Sequence, residues 1–439
     1  MRFFMTLFII TTVLMTWSQV SADELDLMLD GFDDEPPAVV VAPHEMKKKQ
    51  ITIYGALNLS AMARTGGGET LAELSAELDL KAKATTKGGW KGYMRVEGSH
   101  DVAPAINNAS HSPYRDDVEK KLELHELWVE KSLTPWLDMK LGRQIVSWGT
   151  SESFRVVDVV NPVNRQEFGM TDIEDIRLGQ TMSRFDLYSG PWNLSAILIH
   201  GEQHTETPQP GSDYNVGPLN RPSLSEENRD ILPDRFAAAL TGRFSGWDAG
   251  LYAARVEDDL FYLTRDSNNI AIRRYPDITM VGATLTKALG NVLLKAETAH
   301  LSGLRFSSLP ENDVSQTETL IGTEYSGFSE TTLTVEVVHH HIHDFNDTLT
   351  SDGHKENLME YAVRFSRTFL NETLEATLIA GFSGEKGDLG SFQRLEMEYD
   401  ASDSLALQMG SVIYHGGDSA MYQKIADNDR VFATVSLFF

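Results

Sequence analysis

The chain has 439 residues, a formal net charge of −26 and no cysteine. That charge argues against nucleic acid and against docking on anionic headgroups. The missing thiols exclude a disulfide framework, a Cys-ligated zinc and a thiol nucleophile. Hydrophobic residues make up 41% and mean hydropathy is −0.26, values that look soluble. A transmembrane β-barrel gives the same values, because every second strand residue is polar.

Met1–Ala22 reads as a secretory signal. Arg2 is the charged start, Phe3 to Trp17 the apolar run, and Val20-Ser21-Ala22 a small-residue site cleaved after Ala22. Residues 23–50 open with an acidic amphipathic piece, Asp23 to Asp30, stopped by Gly31 and Pro36-Pro37. Lys47, Lys48 and Lys49 follow ahead of the first strand. Charge and prolines favour a solvated periplasmic tail over a docking peptide. After the signal there is no apolar run of helix length, so a membrane crossing by helices is excluded.

From Ile51 the period is 2. Leu74, Ala76, Leu78 and Leu80 share one face, with Glu77, Asp79 and Lys81 on the other; Leu395, Met397 and Tyr399 oppose Arg394, Glu396 and Glu398. A soluble sandwich and an outer-membrane barrel both fit this alternation. The connections decide. Tight turns at Thr85–Gly89, Thr134–Trp136, Gly190-Pro191, Ser245-Gly246, Leu289-Gly290, Gly327–Ser329, Asn371-Glu372 and Ser402-Asp403 alternate with longer gaps. Those gaps are 101–120, 145–180, 201–232, 257–275, 303–315, 344–356, the intermediate 385–390, and 416–428. Short periplasmic turns and longer surface loops produce that rhythm, and a sandwich does not. The expectation is therefore all-β: a single transmembrane antiparallel barrel of about 18 strands over 51–439, with both ends periplasmic. Trp90, Trp136, Trp192 and Trp247 stand beside tight turns, as an interfacial girdle requires. Val431, Ala433, Val435, Leu437 and the terminal Phe439 alternate in the closing strand, which is read as the piece handed to the barrel assembly machinery.

One segment breaks the rhythm. Residues 141–180 show no sustained period of 2 or 3.6, and a structureless loop of this length is functional or disordered. Trp148, Phe154, Val156, Val157, Val159, Val160 and Phe168 are too apolar for disorder. The segment is expected to fold into the lumen, rather than lie over the mouth, and to narrow the pore. Arg143, Trp148, Arg155, Asp158, Asn161, Arg165, Asp172, Asp175 and Arg177 are the candidate constriction residues.

Gly142-Arg143-Gln144-Ile145-Val146-Ser147-Trp148-Gly149 and Asp158-Val159-Val160-Asn161-Pro162 carry a resemblance. So do Leu29 to Asp34 and the aromatic closing strand. The chain resembles an uncharacterised domain-of-unknown-function family of porin-like proteobacterial outer-membrane proteins, distantly similar to the alginate export porins. The resemblance implies a barrel over the mature chain and a possible pairing with periplasmic export components. An alginate pore, however, wants a strongly basic lumen, and this lumen is mixed.

The inward phase places Lys81, Arg95, Lys140, Arg184, Arg243, Lys295, Arg364 and Arg394 on the lumen wall. Against them stand Glu97, Asp186, Glu297, Glu318, Glu336, Glu360 and Glu396. Such charges pair across the ladder and keep the wall wet. The functional reading is a screened, weakly cation-tolerant pore. His339, His341 and His343 alternate along one strand, about 6.6 Å apart at each step, which favours adventitious over built metal binding. Nor is there a Gly-x-Ser-x-Gly element, and His100, His111, His204 and His343 fall on different loops. The expectation is a non-enzymatic, cofactor-free outer-membrane channel, in contact with membrane lipid, for small or amphipathic solutes. The alternatives are a structural surface barrel without specific transport and an alginate-type export porin.

Overall fold

The computed structural model describes residues 50–439, apart from 67–70, 107–118, 202, 210–211, 216–224, 227–234 and 266–268. The signal and nearly all of the acidic tail lie outside these residues, as do His111 and much of 201–232.

Alternating strands pair in sequence order until the sheet meets itself. The strands are β1 (Gln50–Arg64), β2 (Leu71–Thr85), β3 (Lys91–Asp101), β4 (Lys120–Thr134), β5 (Leu137–Gln144) and β6 (Gln180–Ser189). Next come β7 (Trp192–Ile199), β8 (Phe236–Phe244), β9 (Trp247–Glu257), β10 (Asp277–Leu289), β11 (Val292–Phe306) and β12 (Leu309–Phe328). The last six are β13 (Thr331–Ile342), β14 (Asn357–Phe369), β15 (Leu374–Ser383), β16 (Gly390–Ser402), β17 (Leu405–Gly416) and β18 (Arg430–Phe438). Each is antiparallel to the next, and β18 pairs with β1 from Ala56↔Phe438 to Arg64↔Arg430. The result is a closed 18-stranded barrel with no free edge. The even strand number brings both ends of the sheet to the tight-turn side.

The long gap expected over 303–315 is instead a hairpin. β11 and β12 run on past the barrel body and turn at Ser307-Ser308, pairing Phe306 with Leu309. Bulges beside Leu304 blur the period there, and the extension reads as loop from sequence. Beside it, Ser225–Glu226, Tyr262–Arg265 and Ala271–Arg274 form a small three-stranded sheet.

The outward phase carries exposed Leu59, Leu78, Leu124, Leu127, Leu194, Leu251, Val281, Leu285, Ile321, Leu395, Met409 and Val435. Large apolar side chains left exposed all round a closed sheet form a lipid-contact band. Trp90, Trp136, Trp192 and Trp247 are exposed at the tight-turn ends.

The interior divides in two. On β2 to β6 the inward residues are charged: Asp79, Lys81, Arg95, Glu97, Glu130, Lys140, Arg184 and Asp186. On β7 to β13 most of them are apolar and buried: Ile197, Ile199, Ala237, Ala239, Tyr252, Ala254, Ile278, Met280, Ala299, Leu301, Leu320 and Val338, with Lys295, Glu297, Glu318 and Glu336 among them. The inward charges expected on these strands, Arg243, Lys295, Glu297, Glu318 and Glu336, thus share their face with an apolar patch that the sequence reading did not include. An inner wall of alanine, isoleucine and methionine facing water would lose about 25 cal/mol for each Å2 left uncovered. Something must cover it, and residues 145–179 do.

Candidate functional site

The loop between β5 and β6 is tied at its neck by one amide. Asn161 is fully buried; its Oδ1 accepts from Val146 N (2.8 Å), while Nδ2 donates to Gln144 O (3.2 Å) and Leu178 O (2.7 Å). One side chain thus joins the entering strand, the returning strand and the middle of the loop. Gln144, also fully buried, donates from Nε2 to Met182 O at 3.1 Å.

Asp158 organises the next layer. It is 3% exposed and accepts from Arg177 Nε (2.7 Å), Arg155 Nε (3.2 Å) and Trp148 N (3.4 Å). Arg155 also donates to Asn161 O at 2.7 Å and to Asp259 of the β9–β10 connection, which Arg165 reaches at 3.3 Å. A carboxylate removed from water needs such partners, because an unpaired buried charge costs several kcal/mol.

Beyond this knot the loop meets the wall. Val146, Trp148, Val156, Val157 and Val160 pack into the apolar half, and the Trp148 ring lies 5.1 Å from that of Tyr252. Gly282 of β10 makes room: a Cβ there would come within 2.7 Å of Val157 Cγ1 and 2.8 Å of Thr298 O.

Two inward carboxylates then grip the loop backbone. Glu297 of β11 accepts from Thr150 N, from Ser151 N at 2.9 Å and from Thr150 Oγ1 at 3.0 Å. Glu336 of β13 accepts from Ser153 N (2.9 Å), Glu152 N (3.1 Å) and Ser151 Oγ (2.9 Å). Gly149 precedes this grip at φ +85, and a Cβ on it would sit 2.9 Å from Glu297 Oε2. Lys295 pairs with Glu152 and, at 3.2 Å, with Glu324. Glycine is thus required twice, by the backbone angle and by the approach of the carboxylate.

The loop then reaches the far wall. Asp172 pairs with Arg394 of β16 and, at 2.6 Å, with Arg364 of β14. Burial pushes its carboxyl up, but the two guanidiniums outweigh burial and hold it below the usual carboxylate range. Phe168 packs edge-on against Phe392 (5.3 Å), and its carbonyl accepts from Tyr414 Oη at 2.6 Å. A second connection joins in from above: Asp213 binds Arg64 (2.7 Å) and Arg430 (3.1 Å), and Tyr214 meets Tyr414 through their hydroxyls at 2.9 Å.

Of the residues expected at a constriction, Trp148, Arg155, Asp158, Asn161 and Arg177 form the buried scaffold of the loop. Asp172 is its far anchor. Arg165 is nearly half exposed and Asp175 is exposed. Arg143 lies apart, in register with the outward Leu127 and Thr181, where it donates to Gln203 Oε1 at 3.1 Å. Its phase on β5 is opposite to that of Lys140.

The expected wall residues all take the inward phase. Lys81 and Arg95 flank Asp79 (3.0 and 3.2 Å), Glu97 meets His125 (3.1 Å) and Arg184 meets Asp186 (2.8 Å). Lys140 stands over the Trp128 ring at 3.9 Å, and Arg394 lies 3.8 Å from Glu396. Glu360 is 3.2 Å from His340, which also meets Glu318, and Arg243 stands opposite Asp248 near a tight turn. Lys81, Arg95 and Arg184 keep about a third of their side-chain surface in water. Sequence reasoning placed Glu297 and Glu336 inward but missed that both hold loop amides. The available signal was in β7 to β10, whose WNLSAILI, FAAAL and ITMVGATL runs are apolar on both faces and so demand cover on both.

Among the described residues no three histidine or acidic side chains are placed to hold a metal ion. His100 Nδ1 contacts Glu119 O, His204 pairs with Glu257, and His343 bonds Thr317, so they share no site.

Solved structures share the architecture. Pseudomonas aeruginosa OccK2 (OpdF), solved in complex with glucuronate, aligns with TM-score 0.52 at 14% identity, over 89% of this chain and 98% of that one. Acinetobacter baumannii OccAB1 gives 0.51 at 11% identity, over 89% and 96%. OccAB4 of the same organism gives 0.51 at 10%, over 91% and 100%. At such identities the likeness establishes the fold, an outer-membrane-type barrel, and nothing of the cargo. No curated protein matches the sequence. The model of a protein family of unknown function, DUF1302, matches residues 55–439, from within the first strand to the last residue, and the chain belongs to that family.

Proposed function

We propose that the protein is a passive outer-membrane channel whose path follows the charged half of the lumen, with residues 145–179 as the constriction. One observation carries this: the loop covers the apolar wall of β7 to β13 and is anchored at Glu297, Glu336, Arg364 and Arg394. The loop leaves Lys81, Arg95 and Arg184 on the charged wall of β2 to β6 about a third exposed. Walls of low dielectric focus whatever charge lines them, so the sign of the exposed wall sets selectivity. Here Lys81, Arg95, Lys140 and Arg184 stand against Asp79, Glu97, Glu130 and Asp186, and the wall field is largely cancelled. Near-neutral to weakly cation-favouring permeation follows, with small neutral or amphipathic solutes preferred over polyanions. No cofactor and no covalent chemistry enter this reading.

The remaining assignments belong to the same reading. The signal is cleaved after Ala22, the barrel sits in the outer membrane of a Gram-negative cell, and the closing strand is delivered to the barrel assembly machinery. Pairing with periplasmic export components belongs to the same reading. The decisive experiment is single-channel recording in planar bilayers with a salt gradient. A zero-current potential of strongly anionic sign would overturn the selectivity, and no conductance at all would overturn the channel.

A further inference from the structure

The outward face of β11 to β14 departs from the lipid band. Reading across the ladder, Val292, Tyr325, Leu333 and Phe365 stand in register, followed by Leu294, Thr323, Val335 and Val363, then Ala296, Ile321, Val337 and Tyr361. The next row holds His339, and the one above it reads His300, Thr317, His341 and Asn357, with His343 closing the rim. The change is local. On β4, Leu122 and Leu124 carry the apolar phase to within two residues of the strand's long-loop end, and Leu122 is 81% exposed.

The height of the patch identifies what it meets. From Thr331 to His341 is about 33 Å of strand at 3.3 Å per residue. A tilt of about 40° projects this to about 25 Å, the height of the apolar band of such barrels. The histidines therefore stand where hydrocarbon gives way to the polar groups of the outer leaflet.

Their chemistry is pre-set. Asn357 Oδ1 lies 3.1 Å from His339 Nε2 and 3.0 Å from His341 Nδ1, while Thr317 Oγ1 lies 3.1 Å from His300 Nδ1 and 2.7 Å from His343 Nε2. The rings are close, 4.7 Å between His341 and His343 and 5.5 Å between His300 and His343. Each ring has one nitrogen held and its second nitrogen without a hydrogen-bond partner among the described residues. An Asn oxygen fixes the proton on the held nitrogen of His339 and His341, so their second nitrogen donates only as imidazolium. An anion at the rim supplies the reason to take that proton.

We propose that this outward histidine patch binds phosphate groups of an anionic glycolipid in the outer leaflet. The chain's net charge of −26 does not oppose this, because the ladder rows of the patch contain no carboxylate. Glu318 and Glu360 lie on the inward face of the same sheet, against His340. Asp344 and Glu356 flank the rim, and both are exposed. An imidazolium pairs with phosphate more strongly than a neutral ring does, so retention strengthens in acid. The proposal needs the barrel to lie in a membrane and is independent of its conducting solutes.

Native mass spectrometry of the detergent-purified full chain tests it, with a bis-phosphorylated lipid A-type glycolipid and its dephosphorylated form at pH 5.5 and 7.5. Wild type should retain the phosphorylated lipid, several-fold more at pH 5.5. The variant His300→Gln, His341→Gln, His343→Gln should lose it several-fold, and the corresponding lysine variant should regain it at both pH values. Circular dichroism confirms the barrel in each. Equal retention by wild type and the glutamine variant, or equal retention of both lipids, would overturn the proposal. So would displacement of the lipid by millimolar inorganic phosphate, or binding of zinc chloride in place of either lipid, since lysine cannot restore a metal site.

Discussion

The two halves of the lumen wall solve opposite problems with the same strand geometry. On β2 to β6 most inward positions are charged or polar, Trp128 and Met182 apart, and salt bridges such as Lys81–Asp79 and Arg184–Asp186 bury the carboxylate while the cation keeps about a third of its surface exposed. On β7 to β13 the inward face carries a large apolar patch beside Lys295, Glu297 and Glu336, and the loop supplies Val146, Trp148, Val156, Val157 and Val160 to bury it. Exposed ion pairs are worth about 0–1 kcal/mol each, whereas a buried aromatic side chain contributes several. The loop is therefore held by the apolar patch and by the anchors on β11, β13, β14 and β16, and borders the charged strands β2 to β6. A lumen of uniform charge would leave such a loop without an address.

Removing residues 145–178 is the most severe way to break this contrast. Conductance in planar bilayers should rise several-fold, and the uncovered inner wall should lower the temperature of thermal unfolding in detergent. Unchanged conductance would place the path elsewhere. Trp148→Ala strikes the same packing at one point, next to Tyr252. It should cost about 3–5 kcal/mol of local stability, read as faster proteolysis within the loop. Replacing the grip is milder: in Glu297→Ala or Glu336→Ala the loop amides lose their acceptors, at about 1–3 kcal/mol for each amide left buried. Single-channel noise should increase while mean conductance rises less than in the deletion.

The far anchor responds to acid. Because the folded Asp172 carboxyl is held below its unfolded value, its contribution is present above the usual carboxylate range. That contribution is lost as pH falls through the range and below it. Wild-type channels should therefore become noisier in strong acid, and Asp172→Asn should show that behaviour already at neutral pH, with the acid dependence flattened. The smallest effect belongs to the charged half. Exchanging the partners in Arg184→Asp/Asp186→Arg conserves the local sum and should leave the reversal potential nearly unchanged, while Asp186→Asn alone should shift it slightly toward anions.

Much of the fold is legible in the sequence because a barrel is specified locally. Alternation such as Leu74 to Lys81, tight turns at Gly190-Pro191 or Ser245-Gly246 and the closing Val431 to Phe439 each follow from residues a few positions apart. The strand number, the lipid-facing phase and the special character of residues 141–180 are all decided at that range. The motif residues Trp148, Gly149, Asp158 and Asn161 were also visible, but not their work. Asn161 closes the neck, Asp158 gathers two arginines, and Gly149 admits the carboxylate of Glu297.

Those roles were fixed only by the tertiary structure. Glu297 and Thr150 are 147 positions apart, and Asp172 and Arg394 are 222 apart. Nothing in the local period ties either carboxylate to its partner. The sequence determined which face of each strand looks inward; barrel closure decided what that face meets. It set the apolar inner strands opposite an apolar loop and placed His300, Thr317, His341 and Asn357 in a single outward row. The physical reason is range. Strand periodicity acts over a few residues, whereas burial and charge pairing act between whatever the closed sheet brings together.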